Sequence, residues 1–247
     1  MGKTHEALER AEKEYQKNLI KLPNDSQKEV AVKGPDQFVV RAPSDRYHNV
    51  KTKLINCFPA GSIKTILVTS TANKAGSSTT AVSFATTLAR DCKLNVLLID
   101  ANLRIPKLHK IFNIESDKGL WNLLTIEEKK KSLFRKIGRG NLSVIPCGSG
   151  KVAPLTLFES VRFENFLNSV RKNFAYVILD APPVSCAETK LMSTKVDGVI
   201  LVIESGKTRR PVAIRAKREL EENGANILGV ILNRRKYYIP EWIYKRL

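Results

Sequence analysis

From Ile63 onward, short apolar runs alternate with amphipathic stretches. The runs Val96–Ile99, Tyr176–Leu179, Val199–Ile203 and Gly229–Leu232 show no polar alternation, which is the pattern of strands covered on both faces in a parallel sheet. Strands are predicted at Thr65–Ser70, Asn95–Asp100, Leu142–Pro146, Tyr176–Asp180, Gly198–Glu204 and Ile227–Asn233. Helices are expected to start near Ser77, Pro106, Leu120, Pro154, Phe163, Cys186 and Arg210. This alternation predicts an α/β fold with a doubly wound, mostly parallel sheet flanked by helices. Such sheets bind ligands at the carboxyl ends of their strands.

The first part of the chain has a different pattern. Leu8, Ala11, Tyr15, Leu19 and Leu22 fall on one stripe of an amphipathic helix expected over Thr4–Leu22. Pro23, Asn24, Asp25, Gly34 and Pro35 break the pattern into a linker. A short strand is expected at Phe38–Val40, and a second helix from Ser44, a suitable N-cap, to about Phe58. The chain thus divides into an N-terminal helical extension and linker (1–43), an α/β domain (44–236) and a basic, tyrosine-containing tail (237–247).

Composition narrows the setting. An apolar share of 43% with 27% charged residues suits a globular chain. There is no apolar run of the roughly 18 residues that a membrane-spanning helix needs, and no apolar signal-peptide core is expected in the charged N-terminal stretch. The widely spaced cysteines Cys57, Cys92, Cys147 and Cys186 form no C-x-x-C pair, so reduced thiols and a cytoplasmic location are expected. A net charge of +18 favours an anionic contact, whether membrane leaflet, nucleic acid or acidic protein. Its densest clusters are Lys129–Arg139, Lys207–Arg210 and Arg234–Lys236. A generally basic proteome accounts for the charge equally well.

Polar groups collect at three strand ends. The first is the loop Thr71–Thr80 (TANKAGSSTT), a small-residue turn between a strand and a helix. Free N–H groups and the helix dipole converge in such a place and hold anions. The phosphate-loop pattern G-x-x-x-x-G-K-[ST] survives here at Gly76 and Ser78, with Ser77 in the lysine position. The second is Asp100, followed by Asn102, Arg104 and Pro106; the third is Asp180, followed by Pro182 and Pro183. A carboxylate at the end of an apolar strand beside a phosphate loop can hold Mg²⁺ directly or through water. Helix capping or turn formation is the competing role for both acids.

With these segments together, the chain resembles the bacterial tyrosine kinases of capsule and exopolysaccharide synthesis, from about Pro43 to Lys236. IDANLRIPKLH is similar to that family's second Walker-like motif, LDAPPV to its Walker B segment, and ILGVILN to the strand that brings an asparagine to adenine. The resemblance implies a P-loop NTPase-like domain binding ATP or ADP with Mg²⁺. Lys74, Ala75, Gly76, Ser77, Ser78 and Thr79 would surround the phosphates, with Ser78, Asp100 and Asp180 toward the metal. Asp100 would act as base or metal ligand, Asp180 would support the metal, Arg104 would lie near the reacting groups, and Asn233 would read the adenine edge. A strand-end turn is the plainer role for Asn233. Tyr237, Tyr238 and Tyr244 would accept phosphate, unless the tail is a docking segment. Asp45, His48 and Lys51 would form part of a homo-oligomer interface.

The departures from the family pattern cluster. The family's loop reads approximately P-G-E-G-K-S-T-T, against N-K-A-G-S-S-T-T here. D-x-D has become Asp100-Ala101-Asn102, the interface helix has lost its arginines, and the tail carries three tyrosines where a dense cluster is usual. The leading expectation is a catalytically impaired, kinase-like cytoplasmic protein, peripheral at the inner face of the cell membrane. It would bind a membrane polysaccharide chain-length or co-polymerase protein, and an active kinase paralogue. One alternative is an active autokinase that uses Lys74 or a partner's cation in place of the loop lysine. Another is a partitioning or positioning ATPase bound to membrane or DNA, although the motifs disfavour nucleic acid.

Overall fold

Period-two alternation sends neighbouring residues of each buried strand to opposite faces of one sheet. Leu67, Leu97, Ile99, Val177, Leu179, Val199 and Leu201 pack into one core, and Ile66, Val68, Val96, Leu98, Ile178, Ile200 and Val202 into another. A computed structural model describes residues 19–21, 52, 63–90, 93–125, 133–138 and 141–234. Its strands are β1 (Leu19–Lys21), β2 (Thr65–Ser70), β3 (Val96–Asp100), β4 (Arg135–Ile137), β5 (Leu142–Ile145), β6 (Tyr176–Asp180), β7 (Gly198–Glu204) and β8 (Ile227–Asn233). Its helices are α1 (Ser77–Arg90), α2 (Leu108–Phe112), α3 (Leu120–Thr125), α4 (Pro154–Glu159), α5 (Val161–Asn173), α6 (Ala187–Lys195) and α7 (Arg210–Glu222).

The strand order is β1-β8-β7-β2-β6-β3-β5-β4, parallel except for the β4–β5 pair. This is the expected doubly wound sheet. Side chains of α1 and α2 fill the core on one face, and those of α3 to α7 fill the other. Strand β2 lies between β7 and β6, so its carboxyl end opens where chain connections leave in both directions. That is where a doubly wound sheet forms its ligand crevice.

Four local expectations are corrected. Residues Leu19–Lys21, expected to close the N-terminal helix, form a strand paired with Val230–Leu232. An open sheet edge offers unpaired backbone groups, and pairing them outweighs local helical periodicity. The basic segment around Arg135 forms the antiparallel strand β4, which had no predicted counterpart. Helix α5 begins at Val161, because the Ser160 hydroxyl accepts the Phe163 N–H at 3.3 Å and caps it two residues early. Helix α2 begins at Leu108, two residues beyond Pro106. Of the expected helix Ser44–Phe58, only Thr52 falls within the described residues, and it is helical. The expected Phe38–Val40 strand lies outside them. No helix among the described residues is long and apolar enough to cross a membrane.

Candidate nucleotide site

The loop between β2 and α1 turns through two residues of positive φ before the helix begins. Gly76 adopts φ 98° and Lys74 φ 66°, the second being a left-handed conformation that a β-carbon disfavours. The Ser70 hydroxyl donates to the Ala72 carbonyl at 2.9 Å and the Thr80 N–H to the Gly76 carbonyl at 2.9 Å, fixing both ends of the turn. Ser77 is the first residue of α1, and Ser78 behind it is buried. Lys74 and Thr79 are exposed, Ala75 is buried, and Gly76 and Ser77 are half-buried. Asn233, at the end of β8, donates its side-chain N–H to the Ala75 carbonyl at 2.9 Å. A β-carbon on Gly76 would fall on that Asn233 amide, so glycine is required by contact as well as by φ.

Asp100 and Asp180 are register partners on neighbouring strands β3 and β6, and both are fully buried. Asp100 Oδ2 accepts the N–H groups of Lys107 at 3.0 Å and Leu108 at 2.9 Å, so this oxygen caps the entry to α2. Its Oδ1 and both oxygens of Asp180 have no hydrogen-bond partner among the described residues. Burial pushes the Asp100 carboxyl up to about 6, against the pull of the Leu108, Lys107 and Asn102 amides and the Lys107 charge. Asp180 is pushed well above the ordinary carboxylate range, by burial first and by the Asp100 charge second. The neighbouring Ser78 hydroxyl and the Lys107 charge oppose that shift.

Unpartnered buried carboxylate oxygens beside a hydroxyl are hard oxygen donors, and this set fits Mg²⁺. When bound, Mg²⁺ neutralises phosphate charge; Ser78, Asp100 and Asp180 are the residues that would hold it.

The remaining polar groups of the second motif are engaged elsewhere. Asn102, 6% exposed, accepts the Ile105 N–H at 3.1 Å. Arg104 forms a two-pronged ion pair with Glu188, through Nε to one carboxylate oxygen and through Nη2 to the other at 3.3 Å. The Cys147 thiol is buried, which pushes it up to about 12, and Cys186 is free and half-buried. Cys57 and Cys92 lie outside the described residues.

The AAA domain family matches over residues 63–209. The tyrosine-protein kinase YwqD of Bacillus subtilis (strain 168) is 30% identical over 194 residues, covering 78% of this chain and 81% of its own length. This chain belongs to the bacterial tyrosine-protein kinases. The crystal structure of the chimerical protein CapA2B2 agrees with this kinase-family chain at a TM-score of 0.75 and 28% identity, covering 80% of this chain and 87% of the other. The septum site-determining protein MinD from Pyrococcus horikoshii OT3, complexed with Mg-ADP, shares the fold at a TM-score of 0.60 and 17% identity, covering 74% and 76% of the two chains.

In this tyrosine-kinase family member the structure brings Lys74, Ala75, Gly76, Ser77, Ser78, Asn233, Asp100 and Asp180 to the carboxyl ends of β2, β3, β6 and β8. Tyr237, Tyr238, Tyr244, Asp45, His48 and Lys51 lie outside the described residues. Two further groups belong to the site and were not singled out from the sequence. Lys107 contributes an amide to Asp100 and a positive charge felt by both acids. Glu188 holds Arg104. An acid in the first turn of a helix is an ordinary complement to the helix dipole, so only its spatial pairing marks Glu188 out.

Proposed function

We propose that this chain is a kinase-like regulator of exopolysaccharide or capsule synthesis or export, impaired in phosphoryl transfer. It works at the inner face of the cell membrane by binding a chain-length or polymerisation protein. The observation that carries this reading is Ser77 at the head of α1, following a tight turn with positive φ at Lys74 and Gly76. Free amides at the start of α1 favour an anionic group, and the Asp100–Asp180 pair suits its Mg²⁺. A serine hydroxyl is too short and uncharged to follow the charge that shifts between β- and γ-phosphates during transfer. Loss of one positioned donor of this kind costs about 10²–10³ in rate. Asn102 does not make up the difference, because it carries no charge, and the Arg104 guanidinium is paired with Glu188. The +18 charge suits an anionic inner leaflet.

An active autokinase is the second reading. Lys74 sits exposed within the loop itself, and the Lys107 charge favours the ionised acids.

Titration of ATP and ADP with and without Mg²⁺, followed by phosphotyrosine detection on the full chain, separates the two. The proposal expects Mg²⁺-dependent binding with background phosphotyrosine on Tyr237, Tyr238 and Tyr244. Robust phosphotyrosine that disappears in Asp100→Ala and Lys74→Ala would instead establish the autokinase.

A further inference from the structure

We infer that Glu188 is a positioning residue for Asp100: through Arg104 it holds down the loop whose amides fix the Asp100 carboxylate. The inference rests on the reading of Asp100 as part of a nucleotide–Mg²⁺ site, and deepens it.

Glu188 lies in the first turn of α6 and is 1% exposed. A carboxylate so buried is costly unless a cation meets it with good geometry. Arg104 does so with two nitrogens, while its own side chain is 59% exposed. The planar guanidinium fork matches both carboxylate oxygens at once, which an ammonium cannot do.

The ion pair joins two particular segments. Arg104 stands in the connection from β3 to α2, which carries the residues after Asp100. Glu188 opens the helix that follows the Asp180 strand. The connection starts at Ala101, whose N–H donates to the Asp180 carbonyl at 2.9 Å. It ends at Lys107 and Leu108, whose N–H groups bind Asp100 Oδ2. Between these anchors, the Ile105 N–H donates to the Asn102 side chain, and the Asn102 backbone amide lies against the Asp100 carboxylate at the start of the connection. Among the described residues, Arg104 to Glu188 is the side-chain tie from its middle to another element.

If that tie is released, the turn can lift, taking the Lys107 and Leu108 amides from Oδ2. The carboxyl group would then rotate and Oδ1 would lose its direction. Glu188 thus sets the geometry of Asp100 without touching ligand.

The test is amide hydrogen exchange followed by NMR on the full chain, comparing wild type with Glu188→Gln and, as a milder variant, Arg104→Lys. In both, the Lys107 and Leu108 amides should exchange about tenfold faster, while the Thr80 amide on the Gly76 carbonyl keeps its protection. The gain in ADP affinity on adding Mg²⁺ should fall by about tenfold, with Mg²⁺-free affinity unchanged. Unchanged protection at Lys107 and Leu108 overturns the inference. So does loss shared equally by Thr80, which would mark general loosening, or an undiminished Mg²⁺ effect despite lost protection. A wild-type chain whose ADP binding ignores Mg²⁺ overturns the nucleotide reading instead, and the exchange comparison then decides the role of Glu188 by itself.

Discussion

The Asn233 side chain spans from the end of β8 to the phosphate loop, donating to the Ala75 carbonyl at 2.9 Å while its Oδ1 accepts the Arg234 N–H at 2.9 Å. Strand β8 is thereby fastened to the first loop of the site. Asn233→Ala should destabilise the protein by about 1 kcal/mol, the net worth of one such bond. Gly76→Ala should cost more, because φ 98° is strained for alanine and its β-carbon meets the Asn233 amide. Thermal melts of both single variants and the double variant check this. The Gly76→Ala cost should shrink in the Asn233→Ala background, and strictly additive costs would show that the two residues do not press on each other.

The buried acids make stability depend on pH. The Asp100 carboxyl is raised from 3.8 to about 6, chiefly by burial, so the folded state penalises its charged form. Stability is therefore lost as pH rises from about 4 through about 6, by on the order of 2–3 kcal/mol. Asp100→Asn keeps an acceptor for the Lys107 and Leu108 amides and removes the penalty. In metal-free, nucleotide-free protein it should be the more stable form at pH 7–8, with the gap closing toward pH 4. Urea melts across that range measure the difference.

Asp197 behaves in the opposite sense at the other end of the sheet. Burial pushes its carboxyl up, but the N–H groups of Thr65 and Lys64, the Thr65 hydroxyl and the Arg171 charge outweigh it and hold it below 3.8. Its contribution is present above the ordinary carboxylate value and lost as acid drives pH down through the lowered one. Asp197→Asn should cost about 2 kcal/mol at neutral pH, from the weakened bonds to Thr65, Lys64 and Arg171. The cost should fade in acid below 3.8, as followed by circular dichroism.

Ser77→Lys restores a cation at the start of α1. Tighter Mg-ATP binding is expected, and phosphotyrosine should rise by about 10²–10³ if the loop cation is the main missing part. A variant that binds more tightly yet stays silent would place the deficit at Asn102, and Asn102→Asp in the same chain then becomes the deciding change.

The parallel sheet was legible because its strands are apolar on both faces, and Asp100 and Asp180 stood out as the polar residues ending such runs. The sequence did not show how each would divide its oxygens. Asp100 takes the capping role weighed for it, holding the entry to α2 with Oδ2, while its Oδ1 makes no hydrogen bond among the described residues. Asn233 likewise makes a strand-end turn and contacts the phosphate loop. Leu19–Lys21 went astray because helical periodicity is local, whereas a strand at a sheet edge is decided by a partner some two hundred residues away. Glu188 was hidden for the same reason: its meaning depends on Arg104, 84 residues earlier.

The place of β2 in the sheet also governs when the site can form. Its backbone bonds run to β6, beginning at Tyr176, and to β7, ending at Glu204, so the strand carrying the phosphate loop waits for partners more than a hundred residues downstream. Long-range parallel pairing of this kind closes large loops and is slow. During synthesis the loop is made before the strands that support it and before the Asn233 fastening. Nucleotide offered to a growing chain would meet no finished cradle until β8 has been made, so completion of the cradle waits on the sheet.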